Sequence, residues 1–336
     1  MMVNEPLRDT KTETSKHIPK ETKRFNPKKL LIDNNTYIIL FILIVISSLL
    51  SNTFLTPMNI RNIALQQSGP ILVAIGMLFV ILTGGIDLSV GSVMAVGATI
   101  SAILITNDHM NFLLAILIAM IVGLIFGIFT GALVSYANFQ GFVASLATMT
   151  IASGFAFVLT KGTPIMIPPG TLDNIVNPKF FYPIIIIAVV LAILFALIQR
   201  YTGWGRIVIA VGSNPIAVQL AGIRTKRYIM STYAVSGLLA ALGGVFIAAR
   251  SATGDATIGT GDELDAIAAC VIGGASLAGG KGFVFKTVAG ALILGLIGNI
   301  MNLMAVPSYP QDIIKGFIII AAVLLQIFTS KSEKGV

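Results

Sequence analysis

The sequence predicts an all-α protein that crosses a membrane many times. Of its 336 residues, 56% are hydrophobic and 11% are charged, and its mean hydropathy is +0.92. A typical soluble domain is about 45–50% apolar and about 25% charged. So little charge could not cover a water-soluble protein of this size, which excludes an ordinary cytosolic enzyme, a secreted disulfide scaffold and a disordered chain. Cys270 is the single cysteine and cannot form an intrachain disulfide.

Apolar runs predict about ten transmembrane helices, some of them short or broken. A spanning helix needs about 17–25 predominantly apolar residues. The runs that qualify lie at 36–54, 62–82, 90–106, 112–135, 142–159, 183–199, 228–249, 264–279, 286–303 and 311–329. Those at 62–82, 90–106 and 264–279 are short or rich in glycine, which suits broken or re-entrant segments.

The distribution of basic residues predicts that both termini lie in the cytoplasm. With ten spans in this orientation, most of the 22 Lys and Arg residues fall on cytoplasmic segments. The predicted outer segments carry Arg61, Lys161, Lys179 and Arg250. Because an excess of Lys and Arg marks the cytoplasmic side, this asymmetry favours the N-in, C-in topology.

Two tails are predicted to flank a transmembrane domain at 36–329. Residues 1–35 are basic and contain no apolar run, so we expect a disordered cytoplasmic tail. A nucleic-acid-binding arm is the alternative for a basic tail, but this one lacks interleaved aromatic residues and leads directly into a span. Residues 330–336 form a short cytoplasmic C-terminal tail.

The largest predicted cytoplasmic loop, residues 200–227, contains a short helix. The loop has five basic residues and no acidic one. Asn214 is the expected N-cap, Pro215 the first helical residue and Gly222 the residue that ends the helix. A proline-rich segment, 160–182, is the matching external loop.

No enzyme signature is complete, so a transport or binding role is favoured over catalysis. GGASLAGGKG at 273–282 lacks the first glycine and the Ser or Thr of a phosphate loop, and GTGDEL at 259–264 lacks the third glycine of a dinucleotide fingerprint. The histidines, His17 and His109, fall in the tail and in a predicted turn. We therefore expect no catalytic residue and no metal site in this chain.

The segment TGGIDLSVGS at 83–92 places a carboxylate between two apolar runs. Asp87 could cap a helix that starts at Leu88. Alternatively, Asp87 and Ser89, with the adjacent Gly84 and Gly85, could line a translocation pathway. GGASLAGG at 273–280 repeats part of this pattern, which adds Gly273 and Gly274 to the candidate pathway or gate.

An acidic segment follows the seventh apolar run, 228–249. The segment contains one basic residue, Arg250, and four acidic residues, Asp255, Asp262, Glu263 and Asp265. In the predicted topology they lie at the external mouth. They form either a solvated acidic loop or a docking surface for a partner protein.

Four segments together resemble permeases of ATP-binding-cassette sugar importers of the ribose kind. They are GGIDLSVGS at 84–92, VGSNPIAVQLAGI at 211–223, GTGDELDAIAACVIGGASLAGGKG at 259–282 and YPQDIIKG at 309–316. The similarity covers about residues 36–329, which it identifies as a permease domain of the bacterial cell membrane.

The resemblance implies partners and roles that composition does not show. Such permeases pair, usually as homodimers in the lipid bilayer, with a cytosolic ATPase and an extracytoplasmic sugar-binding protein. ATP and Mg²⁺ belong to the ATPase, so this chain needs no cofactor of its own. The coupling contact is implied for five residues of the 200–227 loop: Gly212, Asn214, Ala217, Ala221 and Gly222. Binding-protein docking is implied for Asp255, Asp262 and Glu263.

The expected function is import of a monosaccharide by alternating access, with ribose as the first choice. An ion-coupled secondary transporter or a channel for a small polar solute is the alternative. Such proteins commonly carry ionisable residues within their spans. Apart from Asp87 and Lys315, this chain has almost none, which favours the importer.

Overall fold

The computed structural model describes residues 34–176 and 182–333, and helices dominate these residues. The described residues from Thr36 onward belong to one compact unit. Most of the predicted N-terminal tail lies outside the described residues, as do 177–181 of the external loop and 334–336 at the C-terminus.

The helices in the described part of the chain follow the predicted apolar runs, with three short additions in the connecting segments. They are α1 (Asn35–Leu50), α2 (Pro57–Leu82), α3 (Val90–Thr106), α4 (Phe112–Ser135), α5 (Gly141–Thr160), α6 (Asp173–Val176), α7 (Pro183–Tyr201), α8 (Gly203–Ser213), α9 (Pro215–Leu220), α10 (Thr225–Ser251), α11 (Asp262–Ile272), α12 (Val284–Leu303) and α13 (Ser308–Glu333).

The helical, multi-span fold class is confirmed. Among the described residues, six helices are long and apolar enough to cross a membrane, namely α2, α4, α5, α7, α10 and α12, and α1 and α3 are shorter apolar helices. The run at 264–279 contains only the 11-residue α11, since the chain leaves the helix after Ile272. The last helix continues to Glu333, past the predicted end of its span at residue 329.

The loop predicted to be external, 160–182, forms a small sheet with the segment after α10, which the sequence did not predict. Strand β1 (Ile165–Met166) pairs antiparallel with β2 (Thr253–Gly254), and Ile165 lies opposite Gly254. Gly254 also packs against α3, where a Cβ would overlap the side chain of Ala102. The pairing therefore ties the segment after α10 to the loop after α5.

Helix α10 is the centre of the bundle and packs against α2, α3 and α4. Small residues make these contacts close. Gly237 of α10 lies against Gly123 and Gly127 of α4, and Ser236 lies against Gly76 of α2. Small residues at such positions let two backbones approach within a membrane. The same packing buries Ser236 completely inside the bundle.

A pair of buried amides joins the start of α2 to the end of α12. The Asn59 Nδ2 donates to Asn299 Oδ1 at 3.0 Å, and Asn299 Nδ2 donates back to Asn59 Oδ1 at 2.9 Å. Each side chain thus satisfies the other inside the bundle, where an unpaired amide would be costly.

Candidate functional site

Two connections between helices contain the candidate pathway residues. The first connection, residues 83–89, joins α2 to α3, and the second connection, residues 273–283, joins α11 to α12. Gly84 and Gly274 have φ angles of +79° and +80°. Each donates its N–H to the carbonyl three residues earlier, at 2.8 and 2.9 Å, and the next residue donates to the carbonyl five residues earlier, at 3.1 and 2.9 Å. Both helices therefore end in the same C-terminal motif, which requires a left-handed residue.

This equivalence shifts the repeat by one residue from its sequence register. The sequence pattern aligns Gly84 with Gly273, whereas the backbone makes Gly84 equivalent to Gly274. Gly273 instead lies against α12, where a Cβ would approach the carbonyl carbon of Lys286 to 2.7 Å.

The interpretation of Asp87 as an N-cap is wrong. Helix α3 begins at Val90, and Ser89 is the residue at its N-cap. The Asp87 side chain is fully buried. Its Oδ1 accepts from the Ser89 N–H at 3.0 Å and from Ser89 Oγ at 2.5 Å, and its Oδ2 accepts from Ser236 Oγ at 2.9 Å. The carboxylate thus ties the first connection to α10.

Gly85 makes room for a tyrosine of α10. A Cβ on Gly85 would lie 2.5 Å from the Tyr233 hydroxyl oxygen, and one on Gly141 would lie 2.6 Å from it. The hydroxyl donates to the carbonyl of Ile86 at 3.3 Å. The first connection is therefore packed tightly around fixed side chains, and Asp87 and Ser89 do not border either cavity described below.

The second connection touches both the first connection and the predicted coupling loop. The Gly280 N–H donates to the carbonyl of Leu82, the last residue of α2, at 3.0 Å. A Cβ on Gly212, near the end of α8, would overlap this same carbonyl oxygen and would lie 2.6 Å from the Gly280 nitrogen. Gly212 is therefore a packing residue at a three-way junction rather than part of an exposed contact.

The short helix predicted in the cytoplasmic loop is present. It is α9, and Asn214 Oδ1 accepts from the Ala217 N–H at 3.0 Å, as expected for its N-cap. Gly222 follows the helix with a φ of +80°, in agreement with the predicted helix end. Ala217 and Ala221 are exposed.

Sequence reasoning missed the two most prominent apolar side chains of this surface. Ile216 is 68% exposed and Leu220 is 84% exposed. They lie four residues apart and therefore on one face of α9. Val218, between them, is buried and holds the helix against the protein. The apolar pair at i, i+4 within the predicted short helix was the signal that could have identified them.

A basic groove of about 360 Å³ lies next to α9. Arg224, Lys226 and Arg227 line it together with Tyr136 of the α4–α5 connection. The Lys226 Nζ lies 5.8 Å from the centroid of the Tyr136 ring. The exposed face of α9 and this groove together form what we call the coupling surface.

The four acidic residues after α10 lie in three different environments. Asp262 and Asp265 both line a cavity between α2, α10, α11, α12 and α13, and Asp265 forms an ion pair there with Lys315 of α13 at 3.1 Å. Burial and the neighbouring Asp265 raise the pKa of Asp262 to about 6, while Lys315 opposes the shift. The Glu263 carboxylate lies against Gly91, and Asp255 accepts from the N–H and hydroxyl of Thr257 at 2.8 and 3.0 Å. Asp255 is thus the member of the set that stays in the loop.

No metal-binding cluster occurs in the described segments 34–176 and 182–333, where no group of three or more His, Cys, Asp or Glu side chains is placed to hold an ion. The Cys270 thiol is buried and donates to the carbonyl of Ala74 at 3.4 Å.

Comparison with known proteins assigns most of the described bundle to one family. Residues 59–323 match the family described as the permease component of branched-chain amino acid transport systems. The chain is 39% identical over 312 residues to the ribose import permease protein of Haemophilus influenzae, covering 90% of this chain and 96% of that protein. It is 41% identical over 313 residues to the ribose import permease protein of Bacillus subtilis, covering 91% and 96%. It is 33% identical over 301 residues to the L-arabinose transport system permease protein of Escherichia coli, covering 89% and 92%. No solved structure matches the chain.

Proposed function

Because the chain belongs to the permease-component family of branched-chain amino acid transport systems, we propose that it is the membrane subunit of an ATP-binding-cassette importer for ribose. It resides in the bacterial cell membrane as a multi-pass protein. The choice of ribose follows from the ribose import permeases that it resembles over nine-tenths of its length. A separate cytosolic ATPase binds ATP and Mg²⁺ and supplies the driving force.

The coupling surface is the observation that carries this proposal. Ile216 and Leu220 project from a capped helix in the loop that basic residues assign to the cytoplasm. A short helix with an exposed apolar face suits insertion into a groove on a partner. The adjacent Arg224, Lys226 and Arg227 suit acidic groups on the rim of such a groove.

The junction at Gly212 explains how a movement of α9 would reach the pathway. Helix α8 leads directly into α9, and its Gly212 rests on the end of α2 and on the second connection. Rigid packing transmits displacement because packed interfaces change between discrete arrangements rather than deform. We therefore assign Gly273 and Gly274, in the second connection, to the hinge that moves the pathway-lining helices, and Gly84 and Gly85 to the fixed turn against which they move.

The proposal also includes ten membrane spans with both termini in the cytoplasm. The chain pairs with a second copy of itself. This orientation places α9 and both glycine-rich connections towards the cytoplasm and the β1–β2 sheet outside. Asp255 then faces the extracytoplasmic side, where a sugar-loaded binding protein docks. Exposed charges of this kind contribute about 0–1 kcal/mol each, so docking does not depend on one residue.

The decisive experiment measures ribose uptake into vesicles that contain the chain, its ATPase and the ribose-loaded binding protein. Uptake should require ATP on the side of the membrane where the ATPase is bound. It should persist in the presence of a protonophore. Uptake that needs no ATP and is abolished by the protonophore would show the alternative, an ion-coupled secondary transporter.

Variants of the coupling surface connect that assay to the structure. We expect Ile216→Ser combined with Leu220→Ser to abolish co-purification of the ATPase while the chain still inserts into the membrane. Met58→Ser removes an equally exposed apolar side chain at the start of α2 and serves as the control. Retention of the ATPase by the double variant would refute the coupling assignment.

A further inference from the structure

A cavity of about 190 Å³ with both polar and apolar walls lies between α2, α10, α11, α12 and α13. Its lining includes Gln66 and Gln67 of α2, and Gly295 and Gly298 of α12. Gln67 is the eleventh of the 26 residues of α2, close to the middle of that helix. In a helix that crosses the bilayer, this position lies well inside the membrane. The cavity therefore extends from the predicted external ends of α10 and α11, where Arg250 and Asp262 lie, towards the membrane interior at Gln67, where isolated polar groups are expensive.

The Gln67 side chain is buried but has no hydrogen-bond partner within the described residues. It is 7% exposed and its amide reaches the cavity wall beside Gly295. By contrast, the buried amide of Asn59, on the same helix, forms two side-chain hydrogen bonds with Asn299. The oxygen and nitrogen of the Gln67 amide are not enclosed by protein atoms, because the cavity leaves them accessible. The Gln67 amide is therefore available to a ligand as both a donor and an acceptor.

The charges that border the cavity balance. Asp262 and Asp265 contribute two carboxylates, and Arg250 and Lys315 contribute two cations, with Lys315 paired to Asp265. Amides and balanced charges favour a neutral molecule that carries many hydroxyl groups. They disfavour an apolar solute, which could not satisfy these polar groups, and an ion, which would meet both signs of charge.

We propose that this cavity is a binding site for the transported monosaccharide within the permease, with Gln67 as its central hydrogen-bonding group. The inference rests on the proposed function for the identity of the sugar. It goes beyond that function because it places a sugar site inside the membrane subunit, apart from the binding protein. Gly295 sets the depth of the site, since a Cβ at this position would overlap the Gln67 amide. Gly298 borders the same space with no neighbouring atom within 4 Å of an added Cβ.

A thiol-protection assay tests occupancy directly on the purified permease–ATPase complex. Cys270→Ala removes the native thiol, and Gly298→Cys places a new one at the cavity. Millimolar D-ribose should slow modification of this thiol by a small methanethiosulfonate reagent, and glycerol at equal osmolarity should not. Adding Gln67→Ala should abolish the protection. A thiol at Ile216, on the distant coupling surface, should react at the same rate with or without ribose.

If ribose leaves the rate of modification of the Gly298→Cys variant unchanged, the proposal is overturned. Should that variant fail to insert, Gln66→Cys supplies a second thiol on the cavity wall. The thiol assay does not depend on uptake, so its failure with normal ATP-driven ribose uptake would reject this site alone. If the wild-type protein shows no ATP-driven ribose uptake, the proposed function is rejected instead.

A matched pair of glycine variants extends the test to transport. Gly295→Ala drives the Gln67 amide into the cavity and should lower the rate of ribose uptake by about tenfold, since one misplaced methyl group in a binding pocket has effects of that order. Stimulation of ATP hydrolysis by the loaded binding protein should persist. Gly154→Ala, at an open position of α5 outside the cavity, should keep wild-type uptake. Equal uptake by the two variants would contradict the role of Gln67.

Discussion

The two helices that precede the connections, α2 and α11, end in the same C-terminal motif. The connections that follow them are held in the protein by different interactions. The first connection is anchored by the Asp87 carboxylate, which is hydrogen-bonded to Ser89 and Ser236. The second has no buried carboxylate: Gly280 donates to the end of α2 and lies against Gly212, and the carbonyl of Gly282 accepts from the Gln199 side chain of α7 at 2.8 Å.

This difference indicates which connection is fixed and which one can transmit movement. Directional hydrogen bonds to a buried carboxylate hold the first connection to the central helix α10. Backbone contacts at Gly212 and Gly280 instead join the second connection to the helix that leads into the coupling surface. We infer that displacement of α9 moves the second connection, and with it α11 at the cavity, relative to the first.

The largest effect is expected from Gly212→Ala, which breaks the junction. The added Cβ would overlap the Leu82 carbonyl oxygen, and no flexible side chain is available to move away. Such overpacking costs about 1–3 kcal/mol, or more where backbone must shift. ATP-driven uptake should be lost although the chain is still inserted.

Gly203→Ala is the matched control, because it lies on the same helix and meets no atom within 4 Å. It should be neutral or slightly stabilising, as alanine is the better helix former. Equal uptake by both variants would show that the Gly212 junction is irrelevant to transport.

The next largest effect is expected from Asp87→Ala, which removes the anchor of the first connection. Three buried donors would lose their acceptor, and each unsatisfied group costs about 1–3 kcal/mol. Thermal unfolding in detergent should shift markedly downwards. Asp87→Asn should be milder, because its oxygen can still accept from Ser89 and its amide can donate to Ser236. If the two substitutions destabilise the protein equally, the hydrogen bonds are not what anchors this connection.

The comparison also shows which features of this site the sequence could predict. The Gly-Gly pairs marked both turns, but the left-handed residue is the first glycine of one pair and the second of the other. Composition does not reveal which glycine takes positive φ, so the repeat register was predicted one residue out.

Long-range contacts account for most of what was missed. The apolar runs and the cap of α9 depend on neighbouring residues, and the structure has a helix at each run, although the one in 264–279 ends at Ile272. The partner of Asp87 is Ser236, 149 residues away, and no local pattern connects them. The pairing of Asp265 with Lys315 is likewise hidden until the fold brings α11 and α13 together.

A smaller effect is expected from alanine at the two left-handed glycines, and it tests their equivalence. A residue with a Cβ in this conformation costs about 1–2 kcal/mol. Neither Gly84 nor Gly274 has an atom closer than 3.8 Å to an added Cβ, so strain should dominate at both. Gly84→Ala and Gly274→Ala should therefore lower thermal stability by similar amounts. Gly154→Ala, in an open helical position of α5, should not lower it. A large difference between the two turn variants would contradict their structural equivalence.

The smallest effect is expected at the far ends of the helices that lead into the two connections. Helix α2 is held near its start by the buried Asn59–Asn299 pair, and α11 by the half-buried Asp265–Lys315 ion pair. Partly exposed ion pairs contribute about 0–1 kcal/mol and weaken with salt, whereas buried neutral amides are little affected by salt. A double-mutant cycle of Asp265→Asn and Lys315→Met, read from thermal unfolding, should give a coupling energy below about 1 kcal/mol that falls as salt is raised. The cycle of Asn59→Ala and Asn299→Ala should give a larger coupling that does not change with salt. A salt-independent coupling for the ion pair would mean that α11 is anchored as firmly as α2, and the second connection would then have no advantage as the moving part.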